Sequence, residues 1–106
     1  MDKESVLTII ADFNAEMEAL GTRPSKVILY GSYARGDWHE WSDIDLVVVS
    51  PDFEGMGYWD RIEVLTEAIY RVRQPIEAVA MDPDQWDRGD SMLAQIAREG
   101  ELVYSD

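Results

Sequence analysis

The stretch VILYGSYARGDWHEWSDIDLVVV, residues Val27–Val49, decides the fold. The β-branched run at its start predicts a short strand over Lys26–Tyr30, and the near-continuous aliphatic run Ile44–Val49 is typical of a strand buried on both faces. A turn-rich connection with two glycines, Gly31–Trp41, joins the two runs. The stretch therefore predicts two strands of a sheet that are linked through a turn.

This turn has the residues of a phosphate-binding site. Gly31 has no Cβ, so a ligand can approach the backbone closely. Ser32 is predicted to cap a short helical turn that Gly36 ends, and free N–H groups at a helix start bind anions. The planar guanidinium of Arg35 suits phosphate, although pairing with a nearby acid such as Asp37 is an equal alternative. We therefore predict phosphate binding by Gly31, Ser32 and Arg35.

Two carboxylates lie at the start of the second strand. Residues two apart in a strand point to the same face, so we expect Asp43 and Asp45 on one side and Ile44 and Leu46 on the other. Two carboxylates held close together repel each other unless a cation offsets their charge. Mg²⁺ binds carboxylates, waters and substrate phosphates at once, and the pair therefore predicts a magnesium site.

A third carboxylate, Glu77, lies within the apolar run of a third predicted strand, Pro75–Met81. A charged side chain there is costly unless it is paired, solvated or bound to metal. If this strand lies beside the second, Glu77 can reach the same metal site; a position on the solvated face of an edge strand is the alternative. Three carboxylates beside a phosphate site describe two-metal phosphoryl chemistry. One ion activates the attacking oxygen, and the other holds the triphosphate about 3.5–4 Å away.

The remaining patterns predict helices around these strands. Apolar residues at spacings of three and four indicate amphipathic helices, and Glu101–Tyr104 is a final extended piece. The order α-β-β-α-β-α favours an α/β fold, a mixed sheet with helices chiefly on one face. The predicted helices are Lys3–Leu20, Trp59–Val72, a short turn beginning at Pro83, and Met92–Arg98.

Length and composition exclude several classes of protein. A chain of 106 residues is expected to form one domain, residues 1–106. With 22 acidic and 9 basic residues the net charge is −13, which argues against direct binding of nucleic acid or of an anionic membrane. No apolar run approaches the roughly 20 residues of a membrane span. The polar N-terminus is not a signal peptide, so a cytoplasmic location is expected. There is no cysteine and one histidine, His39, so neither a cysteine-based nor a multi-histidine metal site is possible.

The motifs together resemble a known superfamily. Gly31-Ser32, followed after ten residues by Asp43-x-Asp45, resembles the polymerase-β-type nucleotidyltransferases, and the GSYARG and SDIDL segments resemble their minimal (MNT) branch. The segments PIEAVAMDPDQW and REGELVYS, farther along the chain, are also similar to that branch. The resemblance implies a minimal nucleotidyltransferase fold. It assigns phosphate binding to Gly31 and Ser32, and catalysis and metal binding to Asp43, Asp45 and Glu77, although the third carboxylate of this branch is more often Asp.

The resemblance also implies a reaction. A nucleoside monophosphate is transferred from an NTP to a hydroxyl, with ATP as the first expected substrate and two Mg²⁺ ions as cofactors. Because no residues remain to form an acceptor-binding domain, we expect a second chain to bind the acceptor or to be the acceptor, in a homo- or hetero-oligomer. Many members of the branch are antitoxins of toxin–antitoxin systems, and such an enzyme adenylylates a tyrosine of a HEPN ribonuclease toxin. An acidic surface is compatible with that partner.

Two other functions stay open at this point. The chain is alternatively a binding module that neutralises its partner by contact alone, or the catalytic subunit of a small-molecule nucleotidyltransferase of the aminoglycoside type. A labelled product separates them: a modified protein, no product, or a modified small molecule. Trp38 and Trp41 lie beside the predicted site, where core packing or loop anchoring is the expected role and a docking surface the alternative.

Overall fold

The computed structural model describes all 106 residues, Met1–Asp106, as an alternation of helices and strands. A short 3-10 turn, Pro51–Phe53, follows the second strand. The bounds agree with the sequence predictions to within two residues, and the predicted helical turn after the first strand is present. The elements are α1 (Lys3–Ala19), β1 (Lys26–Tyr30), α2 (Ser32–Arg35), β2 (Ile44–Val49), α3 (Tyr58–Val72), β3 (Ile76–Met81), α4 (Pro83–Arg88), α5 (Met92–Arg98) and β4 (Glu101–Ser105).

The four strands form one mixed sheet in the order β3-β2-β1-β4. β1 pairs antiparallel with both β2 and β4, while β2 and β3 run parallel. The mixed sheet of the predicted α/β fold is therefore confirmed. The final extended piece is a true strand, which adds to the free edge of β1. Because β3 lies beside β2, Glu77 can share a site with the carboxylates at the start of β2.

Helices cover both faces of the sheet. On one face, α1 and α3 enclose the larger core of 14 buried residues, among them Phe13 and Leu65. On the other face, Ala94 and Ala97 of α5 pack on a smaller cluster that includes Val47. The sequence placed helices chiefly on one face. The short α5 completes the second layer because its two alanines, both fully buried, bring its backbone close to the sheet.

Arg61 connects the start of α3 to the turn after β2 and to α4. Its guanidinium donates to the carbonyl of Phe53 at 2.7 Å, to Oε1 of Gln85 at 2.7 Å and to the carbonyl of Met56 at 3.2 Å. It also pairs with Asp82 at 3.4 Å, and the two side chains are only 15% and 17% exposed. Arg61 therefore connects the helices at the C-terminal end of β3.

No helix of the chain is long and apolar enough to span a bilayer.

We expect Arg61→Met to lower the free energy of unfolding by roughly 1.5–3 kcal/mol, because the methionine keeps the packing of the stem but removes charge-assisted hydrogen bonds. Urea denaturation measures the change. Arg71→Met is the matched control, since Arg71 makes only exposed ion pairs and should change stability much less. An equal loss in both variants would show that Arg61 acts only as a surface charge.

Candidate active site

Three polar side chains form a row across one end of the sheet. Tyr30 of β1 lies opposite Asp45 of β2, and Asp45 lies opposite Glu77 of β3. Asp45 alternates with Leu46, which is buried against α1 and α3, so the row faces the side that α5 only partly covers. Asp45 is half-buried and Glu77 is exposed. The row is therefore open to a ligand from solvent.

The row concentrates negative charge. Burial raises the pKa of the Asp45 carboxyl above its ordinary value, and the charges of Glu77 and Asp43 raise it further. The positive charge of Arg35 lowers this pKa, whereas a hydrogen bond between the side chains of Glu77 and Asp45 raises it. The pKa of Tyr30 is raised for related reasons, first burial and then the charges of Asp45 and Glu77. Such a site gains from a cation that offsets the carboxylates.

Gly31 lies directly against Asp45. A Cβ at Gly31 would come within 3.1 Å of Cγ of Asp45 and closer still to its Oδ2. The backbone at Gly31, with φ 76° and ψ −154°, lies in a region that only glycine adopts readily. The sequence predicted this glycine because a ligand must approach the backbone. The structure adds a different reason: a side chain at position 31 would displace the carboxylate.

The turn predicted to bind phosphate contains the expected short helix, but the residue that caps its N-terminus is not the predicted one. Gly31 is the N-cap residue and Ser32 is the first residue of α2, so Ser32 does not cap the helix as expected. The N–H groups of Ala34 and Arg35 donate to the carbonyl of Gly31, so only the first two N–H groups of α2, those of Ser32 and Tyr33, have no backbone partner. Gly36 ends the helix in the left-handed conformation, as predicted. Arg35 pairs with Asp37 at 3.2 Å, and both side chains are more than half exposed.

The carboxylates fit a magnesium ion in their chemistry, although they do not form a compact metal cluster. Asp45 and Glu77 are in contact, while Asp43 lies one residue before β2, exposed, and acts on Asp45 through its charge. No group of three acidic or histidine side chains converges closely enough to hold a metal ion. All donors are carboxylate oxygens, which are the ligands that Mg²⁺ prefers. Asp45 lies near the negative charges of Glu77 and Asp43, which only Arg35 opposes, and this excess of negative charge favours a cation here.

Sequence reasoning did not identify Tyr30. The available signal was its position, since an aromatic residue that ends β1 immediately before Gly31 must lie beside the site.

The loop tryptophans differ from each other. Trp38 stacks on the buried ring of Tyr33 with centroids 5.5 Å apart and anchors the loop, as expected, whereas Trp41 is 83% exposed. His39 is exposed, and its Nδ1 accepts a hydrogen bond from the N–H of Trp41.

A cavity of about 650 Å³ lies away from this row, at the outer edge of β3. None of the predicted site residues lines it; its walls come from α3 and from the segment that joins α4 to α5. Its polar lining includes Arg61, whose donors are already bound within the protein. The cavity is therefore separate from the predicted site residues.

Comparison with known families identifies the family and the fold of the chain. The model of the family described as "Nucleotidyltransferase domain" matches residues 10–87, which include the turn at Gly31 and all three carboxylates. The chain belongs to this nucleotidyltransferase family. A relative from Methanocaldococcus jannaschii, described as a "putative protein adenylyltransferase", is 32% identical over 85 residues, 77% of this chain and 80% of the relative.

Two solved structures share the fold of this nucleotidyltransferase. A "putative nucleotidyltransferase" from Sulfolobus solfataricus superposes with a TM-score of 0.72 at 22% identity, over 95% of this chain and 81% of the other. A chain in a crystal structure described as a toxin–antitoxin with AMP-PNP has a TM-score of 0.64 at 19% identity, over 94% of this chain and 73% of the other. At these identities the likeness establishes the fold.

We expect Gly31→Ala to destabilise the nucleotidyltransferase by more than the roughly 1–3 kcal/mol of its backbone strain, because the new methyl group also displaces Asp45. Gly55→Ala is the matched control, since Gly55 also has a positive φ of 81° but has open space around it. Urea denaturation in the wild-type and Asp45→Ala backgrounds separates the two effects. If the loss for Gly31→Ala is the same in both backgrounds, contact with Asp45 does not explain the glycine.

We expect Asp45→Asn to raise Tm at pH 7 in EDTA. A raised folded-state pKa means that the fold disfavours the ionised carboxyl, so stability is lost as pH rises above the ordinary value of 3.8. Solvent screening limits the gain to a few degrees, and the gain should vanish below pH 3.8. Asp12→Asn, on the exposed side of α1, is the control for net charge and should leave Tm unchanged. A lower Tm for Asp45→Asn would contradict this account of the site.

Proposed function

We propose that this nucleotidyltransferase is a Mg²⁺-dependent protein adenylyltransferase that transfers AMP from ATP to a hydroxyl of a partner protein. The observation that carries the proposal is the contact between Asp45 and Glu77 directly beside the Gly31-Ser32 turn. It supports the proposal because carboxylates that would hold a cation lie next to a turn that would bind an anion, as a metal-bound triphosphate requires. The name of the Methanocaldococcus jannaschii relative supports a protein as acceptor.

The residues of the turn bind the phosphates. The unpaired N–H groups at the start of α2 and the hydroxyl of Ser32 donate hydrogen bonds to phosphate oxygens. Gly31 lets the phosphate chain pass close to the backbone without disturbing Asp45. Arg35, exposed at the end of α2, exchanges its contact with Asp37 for a phosphate oxygen. These contacts fix the α-phosphorus at the open end of the sheet.

The carboxylates of Asp43, Asp45 and Glu77 are the residues that would hold Mg²⁺. When bound, the ions neutralise charge on the phosphates and lower the pKa of the attacking hydroxyl. The acceptor oxygen forms a bond to the α-phosphorus, the bond from that phosphorus to the bridging oxygen breaks, and pyrophosphate leaves. Glu77, the exposed member of the contacting pair, would accept the proton of the hydroxyl.

We further propose that the partner is a HEPN-type ribonuclease toxin and that this chain is its antitoxin. Support comes from the fold likeness to a chain of a toxin–antitoxin crystallised with AMP-PNP. The net charge of −13 also favours a basic partner, because complementary charge accelerates encounter. In this proposal the partner protein is itself the acceptor.

The test mixes the chain with its cognate HEPN toxin, ATP and Mg²⁺ and records intact masses. We expect a gain of about 329 Da per modified hydroxyl on the toxin, the mass of AMP less water. Asp43→Asn combined with Asp45→Asn should abolish the gain, because each change removes a charge that binds the cation. Asp12→Asn is the control and should modify the toxin normally. A tight complex with no mass gain under any common NTP would make the chain a contact-only antitoxin.

A further inference from the structure

The loop between α2 and β2 presents one tryptophan to solvent at the border of the site. Trp41 is 83% exposed, the largest exposed fraction among the large hydrophobic side chains. It makes no stacking contact within the protein, in contrast to Trp38. Trp41 lies two residues before Asp43, so the two Cα atoms are at most about 7 Å apart. The structure therefore gives Trp41 no stacking partner and places it close to Asp43 in the chain.

The backbone around Trp41 is a closed turn. The N–H of Ser42 donates to the carbonyl of His39 at 3.0 Å, and the N–H of His39 donates back to Oγ of Ser42 at 2.9 Å. The N–H of Trp41 donates to Nδ1 of His39 at 3.2 Å. Ser42 itself is buried, at 8% exposure. The backbone of the turn is thus fixed from within, and the side chain of Trp41 stands in solvent.

The surface around this turn is acidic. The loop from Gly36 to Asp43 has three acidic residues and no Lys or Arg. Glu40 is exposed directly beside Trp41, and Asp37 is exposed at the start of the loop. An indole ring attracts a cation over its face, and neighbouring carboxylates strengthen that preference. The same charges disfavour an anionic ligand at Trp41.

From these observations we infer that Trp41, together with Glu40, docks the acceptor protein and selects acceptors with Arg or Lys next to the modified hydroxyl. The inference rests on the proposed function for the identity of the reaction. The cationic side chain stacks on Trp41 and pairs with Glu40, and this contact brings the neighbouring hydroxyl over Asp45 and Glu77. Trp41 is a specificity-determining residue in this scheme and takes no part in the chemical step.

The test uses two tyrosine peptides, acetyl-Arg-Arg-Tyr-Arg-Arg-amide and its Glu counterpart, with ATP and Mg²⁺. We expect AMP transfer to the Arg peptide to be favoured, and Trp41→Ala to raise KM for that peptide about five- to tenfold without changing kcat. Trp41→Phe should restore part of the loss, because it keeps an aromatic face. Trp59→Ala is the matched control, since Trp59 is 75% exposed at the start of α3, at the other end of β3 from Glu77.

Two outcomes would overturn the inference. One is equal KM for Trp41→Ala and Trp59→Ala. The other is weaker binding of Mg²⁺ with α,β-methylene ATP, an analogue that cannot transfer AMP, in Trp41→Ala, since that result would make Trp41 a platform for the nucleobase.

A binding measurement separates this inference from the proposed function. In ¹H–¹⁵N spectra the indole signal of Trp41 is assigned by its loss in Trp41→Ala. If neither peptide is modified but this signal shifts with the Arg peptide and not with the Glu peptide, the docking surface stands and transfer to tyrosine is wrong. Absence of any shift would refute the docking surface whether or not AMP is transferred.

Discussion

The parallel pairing of β2 with β3 is the constraint on which the rest of the structure depends. It sets Asp45 opposite Glu77, and two carboxylates in contact are unfavourable without a cation. The aliphatic residues that follow Asp45 in β2 hold the pairing in place, since Leu46, Val47 and Val48 are completely buried. Hydrophobic burial on both faces thus stabilises an arrangement that electrostatics alone would separate. The two carboxylates repel each other, and the Mg²⁺ proposed for this site would offset their charge.

The contacts of Arg61 and the residues of the candidate site lie at opposite ends of the sheet. At the C-terminal ends of β2 and β3, Arg61 gathers carbonyls and side chains from three segments. At their N-terminal ends no helix covers the row of Tyr30, Asp45 and Glu77 completely, and these groups meet solvent. Because the strands are short, the two ends lie only about five residues apart, roughly 17 Å. Even a chain of 106 residues can therefore combine a firm core with an open site.

Much of the fold and of the candidate site could be predicted from the sequence because local patterns determined them. The aliphatic run of β2 and the helical spacing in α1 and α3 each depend on residues close together in the chain. What could not be predicted depends on contacts between distant segments. No local rule places Gly31 against Asp45, directs Arg61 to the carbonyl of Phe53, or distinguishes a stacked Trp38 from an exposed Trp41. The N-cap also differed, because Gly31 rather than Ser32 adopts the non-helical backbone that begins α2.

The contact between Gly31 and Asp45 also restricts how this sequence can diverge. A side chain at position 31 is excluded both by the backbone and by the aspartate, whereas loss of the aspartate removes one of the two obstacles. Mutational drift at the glycine is therefore expected to follow, rather than precede, loss of the acid. Among descendants that have become pseudoenzymes, a substituted glycine would mark lineages in which Asp45 had already disappeared. An intact pair would mark those still under selection for chemistry.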